Sequence, residues 1–150
     1  MLPISLFEAN AIQDLETRLS KLTPNTSPQW GKMNVSKMLN HCSSQMEIML
    51  DKKPLKSNFI IRIFGKFIKK NILAGKPTKK NSPTAKELLP VNVDSFEAEK
   101  EKIIQLMHEV NKNQASFEGK DHAFFGKLTM DEYGKITWNH IDYHLGQFGV

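Results

Sequence analysis

Residues 129–148 read TMDEYGKITWNHIDYHLGQF, and this stretch decides the fold class. Thr129 with Glu132 three residues on has the spacing of a capping box, in which each side chain satisfies a free backbone N–H at a helix start. At about 100° per residue, Ile136, Thr137, His140, His144 and Phe148 then fall in one arc, the period of an amphipathic helix. His140 and His144, four residues apart, lie in the middle of that arc, so both imidazoles face one spot. A buried ring nitrogen without a partner costs about 1–3 kcal/mol. A shared metal ion would satisfy both rings at once.

Three further long segments carry helical periodicity. Residues 6–22 form one, closed by Pro24 and Pro28. A second opens at Asn34, a good N-cap, and sets Val35, Met38, Leu39, Cys42, Met46 and Met49 on one stripe before Pro54 stops it. Asp94, with Glu97 three residues on, starts a third that buries Phe96, Ile103, Met107 and Val110. The connection between these last two, about forty residues, is too long for bare loop in a compact domain. It contains FIIRIFGKFIKKNIL (59–73), with Ile60, Ile63, Phe64, Phe67 and Ile68 on one side and Arg62, Lys66 and Lys69 on the other. This predicts an extra short helix whose apolar side packs. Residues 74–90, with Gly75, Pro77, Pro83 and Pro90, read as an irregular crossover. No internal repeat and no alternating strand pattern occurs. The expected architecture is all-α: one domain over residues 1–150, an antiparallel four-helix bundle whose long crossover between bundle helices two and three carries the extra helix.

A chain of 150 residues with a 39% hydrophobic fraction can bury one core. It has no run of about 18 apolar residues, so no spanning helix and no membrane contact are expected. The N-terminal MLPISLFEANAIQDLE lacks a basic leader region, and Cys42 is the only cysteine, which together suit a cytoplasmic protein. The net charge of +5 is unevenly spread: from Lys52 to Lys86 there are eleven basic residues and no acid, leaving ten basic against sixteen acidic residues elsewhere. Such a segment suits phosphates, an anionic lipid surface or an acidic substrate, although a solvated face is the plainer reading. No Gly-rich phosphate loop or recognition-helix pattern accompanies it, and its Phe59, Phe64 and Phe67 share the apolar side, so nucleic-acid binding is not expected.

His41, in MNVSKMLNHCSSQM (33–46), sits on the flank of its stripe and alone would be a boundary residue. Facing helices stand about 8–10 Å apart, close enough for one ligand from this segment to meet the pair at 140 and 144. The candidate metal site is therefore His41, His140 and His144. Three imidazoles leave an open position, as catalytic sites do, and suit zinc, nickel, iron or copper. The pair is not a zincin motif, because Ile141 stands where a glutamate base belongs. Gln45 and Gln147 project toward the same region as groups that could orient a ligand or substrate, or as polar residues of the bundle edge. His122 belongs to a loop with Phe124 and Phe125 and could approach from outside. His108 reads as a surface residue and Cys42 as small core filling.

The segments WGKMNVSKMLNHC (30–42), KKNSPTAKE (79–87) and HAFFGKLTMDEYGKITWNHIDYHLGQFG (122–149) together resemble a branch of the DinB-like superfamily. That superfamily includes YfiT-type metal-dependent hydrolases and transferases that use bacillithiol or mycothiol. The resemblance implies an up-down-down-up bundle, often a homodimer, with a divalent metal on one histidine of helix two and two of helix four. His41, His140 and His144 fall on those positions; His122-Ala123 stands where His-Pro is usual. The function so implied is a metal-dependent transferase or hydrolase acting on a small-molecule substrate, with a low-molecular-weight thiol or water as nucleophile. The alternative is a non-catalytic metal-binding or interaction bundle whose basic element docks to a partner or membrane.

Overall fold

Local side chains set the helix starts. Asn34 accepts the N–H of Lys37 and opens α2 (Val35–Met49). Thr129 and Glu132 close the expected capping box and open α5 (Met130–Gln147). The remaining helices are α1 (Ala11–Ser20), α3 (Phe59–Leu73) and α4 (Phe96–Lys112). Two 3-10 turns, Lys86–Leu88 and Gln114–Phe117, and a two-stranded antiparallel hairpin, β1 (Asp121–His122) with β2 (Gly126–Lys127), complete the fold. This computed structural model describes residues 3–56, 59–82, 84 and 86–150; Met1, Leu2, Ser57, Asn58, Pro83 and Ala85 of the stretches read above lie outside the described residues.

Two boundaries differ from expectation. The first helix begins at Ala11 rather than Leu6, because Asn10 adopts a left-handed conformation (φ 67°) that a helix cannot continue through. The residues before it form a turn tied to α5: the Glu8 carboxylate accepts the N–H of Ser5, and the N–H of Leu6 donates to the Gly134 carbonyl. A Cβ at Gly134 would strike Ser5 and Phe7, so glycine permits this approach. In α4 the cap is Ser95, which accepts the N–H of Ala98, and not Asp94. The Asp94 N–H instead donates to Glu99, whose buried carboxylate also accepts from Asn40 of α2 at 2.9 Å.

The chain is mostly helical, with α2 packed mainly on α4, both α1 and α2 touching α4 and α5, and α3 lying against α5. The core of Leu15, Leu19, Met38, Leu39, Ile103, Met107, Ile141 and Leu145 is fully or almost fully buried. On α5 the apolar face is wider than the arc drawn from sequence, reaching round to Ile141 and Leu145. The two-residue strands are too short to show any alternation.

The extra helix departs most from expectation. At 15 residues it equals α2 in length, and its apolar side faces outward: Phe59, Ile60, Ile63, Phe64, Phe67 and Ile68 are all exposed. Polar contacts hold it in this sense. Arg62 pairs with Asp121 at 2.9 Å and Lys69 with Glu132 at 3.3 Å, while Gly65 is buried against the backbone of Phe124. Any Cβ at Gly65 would collide there, so only glycine lets the helix come this close. Ile103→Ala is therefore expected to cost about 2–5 kcal/mol in thermal or urea unfolding. Ile63→Ala, on the outward side of α3, should change stability by less than about 0.5 kcal/mol; a large loss there would mean the helix packs by its apolar side.

Candidate metal centre

His41 comes from α2, and His140 and His144 from successive turns of α5. Their ring centroids are 4.7–4.9 Å apart, and one ring nitrogen of each lies within 4.8 Å of the others. His41 Nε2 and His140 Nε2 are 2.9 Å apart. Two nitrogens at the usual bond length on one tetrahedral zinc are separated by roughly 3.3 Å, so this pair already stands near a shared-ligand spacing.

The hydrogen bonds fix which nitrogens are bare. His41 Nδ1 lies 2.7 Å from the Leu88 carbonyl, which only accepts, so Nδ1 carries the hydrogen and Nε2 keeps its lone pair. Gln147 Nε2 donates to the Trp30 carbonyl at 2.7 Å, which turns Gln147 Oε1 toward His144 Nδ1 at 2.8 Å. His144 therefore also carries its hydrogen on Nδ1. Because His41 Nε2 is bare, His140 Nε2 carries the hydrogen across their 2.9 Å contact, and His140 Nδ1 is a bare, buried nitrogen with no partner among the described residues. Three histidines close together could hold a metal ion, and a donor set of neutral imidazoles fits a borderline divalent ion.

Burial keeps these rings uncharged. Desolvation lowers the pKa of His41, and the Leu88 bond only partly opposes it. The pKa of His140 is held well below the usual value by burial and by the other two rings. His144 is lowered to about 4, by burial first and then by His41. The flank position expected for His41 is corrected: it is 3% exposed, because the turn at Lys86–Leu88 folds over α2 and residues 38–46 of that helix are enclosed.

The other candidates fall out differently. Gln147 meets His144 directly. Gln45 turns its amide nitrogen to Met49 Sδ at 3.3 Å, beside the Thr137 hydroxyl that bonds the same sulfur, and its Oε1 is buried without a partner. His122 accepts the Phe124 N–H on Nδ1 and lies among Phe124, Phe125 and Tyr133; burial lowers its pKa to about 4. It stands outside the three-histidine group. His108 is exposed and pairs with Glu16, and Cys42 is buried in the core, where burial pushes its thiol up. Sequence reading missed two contributors, the Leu88 and Trp30 carbonyls, which as backbone atoms leave no residue signature. Gly31 could have been noticed: it takes φ +85° where a Cβ would meet the Gln147 amide.

The chain belongs to the family described as protein of unknown function (DUF1569), whose model matches residues 7–149. No curated protein matches it, and no solved structure does.

A histidine that folding keeps neutral takes up its proton only in the unfolded chain, so metal-free protein is most stable above about pH 6.5. Stability should fall as pH drops from there, for His144 down to about 4, at about 1.4 kcal/mol per pH unit for each ring still neutral in the folded chain. Thermal melts of chelator-treated protein across this window check the sign; a flat profile would mean the rings protonate in the folded state.

Proposed function

We propose that the protein is a metal-dependent enzyme in which His41, His140 and His144 ligate one divalent ion, zinc, nickel or iron. The observation that carries this reading is the convergence of their ring nitrogens with two tautomers fixed so that Nε2 is bare. Metal-site histidines are commonly oriented in this way by a second hydrogen bond, here donated to the Leu88 carbonyl and to Gln147 Oε1. The bound ion supplies Lewis acidity that lowers the pKa of water or of a small thiol to give a nucleophile near neutral pH. We propose with it that the single domain is a DinB-like four-helix bundle of α1, α2, α4 and α5, supported by their mutual contacts and by the spacing of the three histidines.

A surface cleft of about 260 Å³ lies beside α5, with Trp30, Thr78, Asn139 and Tyr143 on its walls. Tyr143 stands edge-on to His144 at 5.0 Å and to Trp30 at 6.0 Å, so one aromatic ring stands between the cleft and the ligand group. A small electrophile seated there is the substrate we propose. A larger cleft, about 530 Å³, is lined by residues such as Phe7, Glu16, His108 and Gln114; none of the three histidines lines either cleft, and only the smaller one has a wall residue, Tyr143, against His144.

Untagged protein should bind about one transition metal per chain, and His140→Ala should lose tight binding, because two remaining ligands compete poorly with water. Elemental analysis after gel filtration checks this; a variant with wild-type metal content would remove the triad. Gln147→Leu should fold and yet bind metal about 10–100-fold more weakly, since His144 Nδ1 loses its acceptor. For activity, metal-loaded wild type and His41→Ala are compared on thiols with epoxide or halogenated electrophiles, and on esters and amides. Activity is expected in the wild type alone, and equal rates would exclude the triad from the reaction.

A further inference from the structure

The outward face of α3 has no role in the site just described. Six large apolar side chains, Phe59, Ile60, Ile63, Phe64, Phe67 and Ile68, stand 49–78% exposed along less than three turns. Exposed Lys66 and Lys70 border this ridge. The inner side of the helix is tied down by Gly65, Arg62 and Lys69, so the ridge cannot rotate inward without breaking both ion pairs and the close approach to Phe124. A contiguous apolar patch kept facing water in this way marks a docking surface.

We propose that this face docks to the surface of an anionic lipid bilayer. Charge selects the partner: of the eleven cations between Lys52 and Lys86, Lys52, Arg62 and Lys69 are paired with acids of other elements, while exposed Lys66 and Lys70 beside the ridge have no ion pair among the described residues. Lysines beside an apolar helix face attract anionic headgroups while the phenylalanines enter the headgroup and acyl boundary. A second copy fits poorly, because a two-fold pairing of this face sets one ridge bordered by Lys66 and Lys70 against another. A protein partner needs a matching groove, whereas a bilayer accepts a convex ridge without one. No helix among the described residues is long and apolar enough to cross a membrane, so the contact is interfacial, with α3 lying in the plane of the surface.

The test is flotation of the full chain with vesicles of phosphatidylglycerol and phosphatidylcholine in equal parts, and with phosphatidylcholine alone. Wild type is expected to float with the anionic vesicles, to ignore the neutral ones, and to be released by high salt. Reversing two cations, Lys66→Glu with Lys70→Glu, should weaken binding about thirtyfold or more. Phe64→Gln with Phe67→Gln should abolish it while helicity and metal content stay at wild-type values, since both side chains are exposed. Failure of wild type to float at low salt overturns the proposal, as does equal binding to neutral vesicles or wild-type binding by the phenylalanine variant. A wild-type dimer in light scattering that the phenylalanine variant turns into monomer would also overturn it, assigning the face to a second copy.

Discussion

Two carbonyl-type acceptors, Leu88 O and Gln147 Oε1, hold the histidine cluster in one protonation pattern, and the surrounding structure is arranged to deliver them. Leu88 reaches α2 only because the crossover returns over that helix, and Gln147 faces His144 only because its amide nitrogen is taken by Trp30. Gly31, next to Trp30, has no side chain to push that amide away. The cluster thus depends on segments far apart in the chain, joined at single hydrogen bonds that a buried ring cannot exchange for water.

The same constraint gives the site a cost. Three imidazoles are placed where burial opposes their charge, and His140 Nδ1 has no partner among the described residues. A domain whose net stability is about 5–15 kcal/mol keeps such a feature only if something repays it. Apolar side chains of similar volume in the same place would have no such nitrogens to satisfy. A ligated ion would give three ring nitrogens one shared partner, and the three histidines are close enough to hold one.

Helix existence was legible wherever period and cap agreed. The capping box at Thr129 and the N-cap at Asn34 gave α5 and α2 their starts, and the four-residue spacing of His140 and His144 gave half of the site. His41 was found through its segment, but its burial was not, since the crossover that covers it has no periodicity to read. Asn10 delays the start of the first helix through a left-handed backbone that asparagine tolerates without announcing it. For α3 the periodicity was correct and the inference about its direction was not. An amphipathic pattern says that two faces differ, and which one turns inward is settled by contacts such as Gly65 against Phe124 and Lys69 with Glu132.

X-ray absorption at the zinc edge of the zinc-reconstituted chain addresses the central claim most directly, because it counts ligands without needing a substrate. The account predicts a first shell with three imidazole nitrogens at about 2.0–2.1 Å, recognised by the multiple scattering of their rings, and one further light atom. His144→Ala should remove one ring from that pattern. A shell of oxygen atoms alone, or an imidazole count unchanged by the substitution, would contradict it.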